Sequence, residues 1–124
     1  FQAKVKYLSG GEGFGLAVRA SEDGRTLYLL QFLSGDFWQL VRYDGVVLES
    51  GPWVRLASGS YKIVPGTWYT VRVDVQGARI TGYVNEAQVI TAEDARYLEG
   101  GVGFRVHTSR VFFDNVEVKP LSNP

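Results

Sequence analysis

Few side chains in this sequence are of the types that usually carry out catalysis. The chain has one histidine, His107, and no cysteine, which excludes disulfides, thiol nucleophiles, Cys-ligated zinc and iron–sulfur clusters. His107 stands at the end of a predicted strand, where a surface position is more common than a general base. The adjacent acids Glu22–Asp23 and Glu93–Asp94 fall in turn-like or helical contexts. The sequence therefore offers no pair of acids placed for glycoside cleavage.

Planar polar side chains are more promising, because they suit recognition of a polar ligand. Nine of the thirteen basic residues are arginines, and Arg19 and Arg105 each alternate with apolar neighbours along a predicted strand. Small residues on the same parity, among them Gly15 and Gly103, would leave a depression around both arginines. A guanidinium in a shallow groove suits bidentate hydrogen bonds to vicinal hydroxyls or to a carboxylate. Ion pairing with acids on the sheet surface is the alternative for each.

Charge and hydropathy argue against two classes of partner. Thirteen Lys and Arg residues balance thirteen Asp and Glu residues, so the formal net charge is zero. Proteins that follow nucleic-acid phosphates or anionic membranes usually carry a basic excess. The longest strongly apolar run, Leu27–Leu33, contains Gln31 and is too short to span a bilayer. We therefore expect neither a nucleic-acid partner nor a membrane partner.

The elements that must position these side chains are short β-strands. Fifteen glycines, four prolines and many β-branched or aromatic residues favour strands joined by tight turns. The alternation is clearest in Tyr69–Val75, where Tyr or Val alternates with polar residues as in a sheet with one buried face. The predicted strands are Gln2–Leu8, Phe14–Ala20, Thr26–Phe32, Phe37–Tyr43, Val46–Glu49, Val54–Ala57, Tyr69–Val75, Arg79–Asn85, Gln88–Ile90, Gly101–Val106 and Val111–Val118.

Two local features interrupt this pattern of strands. Thr91–Leu98 predicts one short helix, with Thr91 as its cap and Asp94 three residues later. In the last strand the apolar residues change parity, and a β-bulge at Asp114–Asn115 would return both sets to one core. The number of strands and the spacing of the turns predict a single all-β domain over residues 1–119, an antiparallel two-sheet sandwich or jelly roll. Residues 120–124 would form a tail.

Four motifs follow one another in an order typical of a known superfamily. They are Gly13-Phe14-Gly15-Leu16-Ala17-Val18-Arg19-Ala20, Gly66-Thr67-Trp68-Tyr69-Thr70-Val71-Arg72-Val73, Gly100-Gly101-Val102-Gly103-Phe104 and Phe113-Asp114-Asn115-Val116-Glu117-Val118. Together they resemble the concanavalin A-like lectin/glucanase superfamily. More closely, they look like the laminin-G-like jelly-roll modules attached to bacterial glycoside hydrolases, and they are similar to the 3-keto-disaccharide hydrolase domains. The resemblance implies two antiparallel sheets, with carbohydrate held in a concave face. It also implies one or two outer N-terminal strands, and we expect this sequence either to be trimmed of them or to complete its sheet differently.

The catalytic motifs of these relatives are missing from the sequence. Glucanases of the superfamily use a Glu-x-Asp-x-x-Glu strand, which does not occur here. The keto-disaccharide hydrolase-like domains show a Tyr-Glu-x-Gln strand, and the matching stretch is Tyr28-Leu29-Leu30-Gln31, with Leu29 in the place of the acid. Hydrolysis is therefore not expected, although Gln31 could still bind a polar ligand. Asp74 is the only mid-strand carboxylate left for an enzyme.

The site predicted for carbohydrate joins planar polar groups to an aromatic ring. Trp38 follows a turn and adjoins a polar strand, which makes it the preferred platform for a sugar, with burial as the alternative. For Trp53, the sequence favours neither sugar stacking nor burial over the other. Many jelly-roll modules hold a structural calcium ion, to which Asp114 would give one ligand, unless it stabilises the bulge instead. No other cofactor is expected. The predicted carbohydrate-binding residues are Arg19, Gln31, Trp38, Arg42 and Arg105.

The resemblance and the residues together favour a non-catalytic carbohydrate-binding module. Such a module would bind a polysaccharide or oligosaccharide beside other domains of a larger, extracellular or periplasmic protein. A glycoside-cleaving domain of the keto-disaccharide hydrolase type is the first alternative. An architectural domain is the second, in which exposed edge strands pack against another domain or a second copy.

Overall fold

Ten β-strands make up the regular structure of the described residues, which in this computed structural model are 1–10, 13–45 and 53–120. They are β1 (Gln2–Gly10), β2 (Phe14–Ala20), β3 (Leu27–Leu33), β4 (Phe37–Tyr43), β5 (Trp53–Ser60), β6 (Trp68–Gln76), β7 (Arg79–Val84), β8 (Ala87–Glu93), β9 (Gly101–Val106) and β10 (Ser109–Glu117). Sheet A has the order β10-β1-β6-β7-β8, and sheet B has the order β5-β4-β3-β2-β9. All neighbouring strands are antiparallel, so the fold is the predicted jelly-roll sandwich. The described residues include no helix that could cross a membrane.

One hydrophobic core fills the space between the two sheets. In sheet B, Phe14 lies opposite Phe32 and Leu16 lies opposite Leu30. Residues directly opposite each other share a face of a sheet, so every second residue of β2, β3 and β4 points inward. Sheet A closes the core from the other side with Ala3, Val5, Val71, Val73, Ile80, Val84 and Ile90, all of them buried.

Most predicted strands occur in the structure, but the predicted helix at Thr91–Leu98 is wrong. Thr91 belongs to β8, where it lies opposite Thr81. Ile90 and Ala92 alternate into the core, so long-range pairing replaces the local helical preference. After β8, the Asp94 carboxylate accepts a hydrogen bond from the Arg96 amide at 3.0 Å, which closes a turn instead of capping a helix. The predicted strand Val46–Glu49 lies outside the described residues.

The bulge predicted in the last strand is confirmed. Lys4 of β1 lies opposite Asp114, whereas Gln2 lies opposite Glu117, so β10 carries one extra residue between these pairs. Asn115 has a φ of 49°, and its amide donates to the Asp114 carboxylate at 2.8 Å. The Gln2 and Glu117 side chains meet on the outer face. The two valines that flank Glu117 therefore face the core side.

One side of the sandwich is open at the edge strands β9 and β10. Phe104 lies opposite the buried Leu16 and so faces the core, yet it is 38% exposed. The core-facing Val116 of β10 is 53% exposed. The Phe104 ring packs on Phe113 with centroids 4.1 Å apart. This contact joins the two edges and leaves a strip of apolar surface beside them.

Candidate functional site

The outer face of sheet B forms a groove of about 620 Å³. It extends from β5 to β9, the two edges of the sheet, and its lining comes from β3, β4, β5, β9 and the residue that follows β9. Two arginines, two glutamines, a tryptophan and a histidine supply most of its polar and aromatic surface. The lining residues are Gln31, Leu33, Gln39, Val41, Trp53, Arg55, Arg105 and His107.

This face is the concave side of sheet B. Trp53 belongs to β5 and Arg105 to β9, the two opposite edges of the sheet. In a flat sheet these strands would be four spacings apart, about 19 Å. The Arg105 guanidinium nevertheless lies 5.5 Å from the centroid of the Trp53 ring. The sheet therefore curves so that side chains from both edges meet over its middle.

The floor of the groove has an apolar half and a polar half. Ala17, Leu29 and Val41 lie opposite one another on three adjacent strands and form a small cluster on the outer face. One step along the strands, Gly15 and Gln31 continue the same face in the polar half. Gly15 also lies opposite Arg105, but the Leu29 side chain fills the space above it, since a Cβ there would lie 2.6 Å from Leu29 Cδ1. Of the two glycines expected to leave a depression, only Gly103 has open space around it.

A chain of hydrogen bonds fixes the amides on this floor. The Arg55 Nε donates to the Gln39 Oε1 at 3.1 Å, and the Gln39 Nε2 donates to the Gln31 Oε1 at 2.9 Å. Gln31 is only 6% exposed, so its position is set by packing as well as by these bonds. Because each carbonyl oxygen already accepts a bond, the Gln31 amide presents N–H donors to a ligand.

The walls of the groove are an aromatic pair and a cationic pair. The exposed Trp53 ring packs on Tyr43 with centroids 4.4 Å apart, which holds it in place. Across the groove, the Arg105 Nη2 lies 3.2 Å from the His107 Nδ1. Arginine has only donors, so the imidazole nitrogen accepts this bond. Because the Arg105 guanidinium also contacts the Trp53 ring, the aromatic surface and the donor groups adjoin each other in the groove.

The structure brings together two of the five predicted binding residues, Gln31 and Arg105. Trp38 is a correction, because its side chain is fully buried in the core and its Nε1 donates to the Tyr61 carbonyl at 3.1 Å. It has no face for a sugar. Arg19 has a φ of 50°, and its Nη1 donates to the Gly77 carbonyl at 2.5 Å. Arg19 therefore serves to tie β2 to a turn of sheet A, away from Arg105.

Arg42 is also a correction, since it points into one end of the sandwich instead of lining the groove. It lies opposite the buried Tyr28. Its Nη1 contacts the Asp94 Oδ2 at 2.6 Å, and its Nε contacts the Asp44 Oδ1 at 2.9 Å. The Asp94 carboxylate also accepts a hydrogen bond from the Tyr28 hydroxyl at 2.6 Å. This group, with Tyr97 bonded to Asp44, is called the end cluster below.

Ionisation in the end cluster is set by a balance of burial and hydrogen bonding. Burial opposes the charge on Asp94, but hydrogen bonds from Tyr28, the Arg96 amide and Arg42 together hold its pKa below the usual value. Burial likewise opposes the charge on Asp44, and bonds from Arg42 and Tyr97 lower its pKa. Burial and the bond to Asp94 raise the pKa of Tyr28. At neutral pH the cluster therefore holds one guanidinium between two carboxylates.

Asp114, the predicted calcium ligand, lies at the bulge of β10. Its carboxylate accepts a hydrogen bond from the next amide, which is the bulge-stabilising role that was the alternative. No group of three or more His, Cys, Asp or Glu side chains that could hold a metal ion occurs among residues 1–10, 13–45 and 53–120. Calcium binding at Asp114 stays a prediction without structural support.

Several groove residues were missed from the sequence. Gln39 could have been found, because the turn after Leu33 sets β4 against β3 and places Gln39 opposite Gln31. Arg55 could not, since the connection before β5 is long and gives no register. Trp53 was left open, and here its exposed ring lines the groove. His107 was expected at the surface, with no role assigned.

Comparison with known proteins places the chain in a family. Residues 1–119 match the family model described as a 3-keto-alpha-glucoside-1,2-lyase-like domain. The chain belongs to this family. No protein of curated function matches the sequence. Matches to solved structures extend the comparison to the fold.

Two of these structures share the fold of this family member. A carbohydrate binding module CBM66 from Bacillus subtilis has a TM-score of 0.78 at 21% identity, and the match covers 92% of this chain and 70% of that chain. The Caenorhabditis elegans galectin LEC-6 has a TM-score of 0.55 at 17% identity, covering 90% of this chain and 79% of that chain. At these identities the likeness shows the jelly-roll fold.

Proposed function

We propose that this domain is a non-catalytic carbohydrate-binding module that holds a glycan in the concave groove of sheet B. The observation that carries the proposal is the meeting of the Trp53 ring, the fixed amides of Gln31 and Gln39 and the Arg105 guanidinium on one concave face. A sugar ring has an apolar C–H face, which stacks on an aromatic side chain, and a rim of hydroxyls, which bond to polar groups. The groove contains an aromatic side chain and polar groups next to each other.

The aromatic platform is partly prepared for a ligand. Trp53 is 41% exposed, so a sugar ring can still bury a substantial aromatic area against it. Packing on Tyr43 and the cation–π contact with Arg105 hold the ring in position before the ligand arrives. A pre-positioned side chain loses little conformational freedom on binding.

The groove favours binding over cleavage. Leu29, at the position of the acid in the keto-disaccharide hydrolase-like strand, is 1% exposed and packs with Ala17 and Val41. Asp74, the one carboxylate that the sequence left for an enzyme, contacts Arg72 at 3.1 Å on β6 of sheet A. The described lining of the groove includes no carboxylate, and acid-assisted glycoside cleavage requires such groups.

Affinity electrophoresis against a panel of polysaccharides tests the proposal. We expect the domain to be retarded by at least one glycan, and Trp53→Ala to abolish the retardation. Trp68→Ala is the matched control, because Trp68 is equally exposed, at 42%, but lies on sheet A beside Lys6. Loss of retardation in both variants or in neither would contradict the proposed site. Release of reducing sugar from a panel member would favour the enzyme alternative.

The proposal extends to the setting of the domain. A module of this kind acts beside a polysaccharide, so we place the parent protein outside the cytoplasm, with this domain beside others. Fractionation of the source cells with an antibody against the domain tests this. Recovery only from the cytoplasm would contradict it.

The open edge of the sandwich supports a second candidate, self-association through β10. Antiparallel pairing of two β10 strands about Phe112 would place Arg110 of one copy opposite Asp114 of the other, twice by symmetry. Phe112 is 50% exposed and would meet its own copy, and an added strand would satisfy the free edge. Sedimentation velocity should then show a dimer that Arg110→Asp dissociates. A monomer at high protein concentration would exclude this candidate.

A further inference from the structure

The geometry points to an anionic glycan, one whose sugar rings carry carboxylates, as the ligand of the concave groove. This inference rests on the proposed function and narrows it to a class of ligand. Two guanidiniums, those of Arg55 and Arg105, line the groove without a carboxylate in its described lining. A uronate carboxylate on the ligand would supply the missing negative charge.

The two groove arginines differ from three of the five other arginines that lie within strands. Arg42, Arg72 and Arg79 each contact at least one carboxylate within 3.1 Å. Arg55 instead donates to the neutral amide of Gln39, and Arg105 contacts an imidazole nitrogen and an aromatic ring. None of these partners is a carboxylate, so they orient the guanidiniums without supplying a negative charge.

Each groove arginine keeps donors for a ligand. Arg55 uses its Nε on Gln39, and Arg105 uses its Nη2 on His107. A guanidinium has five N–H groups, so most of them stay available on each side chain. A carboxylate can take two of them in a bidentate pair, which is stronger and more directional than a bond to a hydroxyl.

The placement of the charges adds to this preference. Arg55 and Arg105 lie on opposite edge strands of a concave face, so a chain of acidic sugars across the groove meets both. Glu22 lines the neighbouring depression that Trp53 and Arg105 also border, and it is the acid that would limit how far such a chain extends. The chain as a whole has zero net charge, so the attraction comes from this groove and not from the overall charge.

The test compares one glycan backbone with and without its charge. Binding of polygalacturonate and of its fully methyl-esterified form is measured by isothermal titration calorimetry at low and high salt. We expect polygalacturonate to bind at least tenfold more tightly than the ester, and the difference to shrink in high salt because screening weakens charge–charge attraction. Arg55→Gln and Arg105→Gln should each weaken polygalacturonate binding about tenfold, which is about 1.4 kcal/mol.

Controls separate this inference from the proposed function. Arg79→Gln, on the outer face of sheet A, should bind polygalacturonate as the wild type does. Equal binding of the charged and esterified forms would overturn the anionic preference and leave the carbohydrate-binding function standing. Binding of dextran sulfate without polygalacturonate would overturn the carboxylate assignment. Failure to bind these glycans and every neutral glycan of the panel would contradict both.

Discussion

Replacing Asp94 by alanine should destabilise the domain strongly, because this carboxylate organises the end cluster. It accepts hydrogen bonds from the Tyr28 hydroxyl at 2.6 Å, from Arg42 Nη1 at 2.6 Å and from the Arg96 amide at 3.0 Å. The Asp94 side chain is 13% exposed and that of Arg42 is 18% exposed. Removing it therefore leaves a largely buried guanidinium and a buried hydroxyl without this partner.

The size of the loss follows from these contacts. Breaking a buried ion pair by removing one partner costs about 3–5 kcal/mol. Arg42 still contacts Asp44, which places the expected loss near the lower end, about 3 kcal/mol. For a domain of this size that corresponds to a fall in Tm of about 12 °C.

Urea denaturation followed by tryptophan fluorescence measures the free energy of unfolding. The neighbouring Glu93→Ala is the matched control, because Glu93 pairs with Arg79 at the surface, where both side chains are more than two-thirds exposed, and should cost less than about 0.5 kcal/mol. A loss for Asp94→Ala no larger than that for Glu93→Ala would refute the assignment of the end cluster as a largely buried ion-pair network.

The remaining predictions concern acid stability and the core. Because the pKa values of Asp44 and Asp94 are lowered in the folded state, their contribution is present above the unfolded value of about 3.9 and is lost as pH falls through the folded values. The free energy of unfolding should therefore fall below about pH 4 in the wild type and fall less in Asp94→Asn; an identical acid profile would contradict this. Trp38→Ala should lower the free energy of unfolding by about 3–5 kcal/mol through cavity formation, while the folded variant still binds glycan. A variant that kept wild-type stability but lost glycan binding would return Trp38 to the site. Gly82→Ala should cost about 1–3 kcal/mol by overpacking, since a Cβ there would lie 2.8 Å from Leu30 Cδ1; a neutral effect in thermal unfolding would count against the packing described.

The sequence predicted the strands well because one face of most of them is polar. In Tyr69–Val75 the alternation alone identified the inward residues, and the parity change in β10 identified the bulge at Asn115. The helix at Thr91–Leu98 failed because its short local preference was weaker than the pairing of β8 with β7.

The candidate site was only partly predictable for a different physical reason. β3 is apolar on both faces, since Leu29 packs under the groove while Leu30 packs in the core. Its parity therefore did not show which side was concave, and Trp38 was assigned to the wrong side. β2 is irregular at Arg19, where φ is positive. The Arg19 side chain therefore departs from the alternation by which the sequence analysis had placed it beside Arg105. The positions of Arg55 and Trp53 in the groove depend on how β5 pairs with the rest of the sheet, which the sequence does not show.

The most direct test of a glycan site in the concave groove is to follow the three tryptophan indole N–H signals by NMR during titration with a glycan that retards the domain. Trp53 lies in the groove, Trp68 is exposed on sheet A, and Trp38 is buried in the core. The proposed site predicts that the Trp53 signal shifts in a saturable way while the Trp68 signal stays in place. A saturable shift of Trp68 with Trp53 unchanged would contradict it and place the glycan on the other sheet.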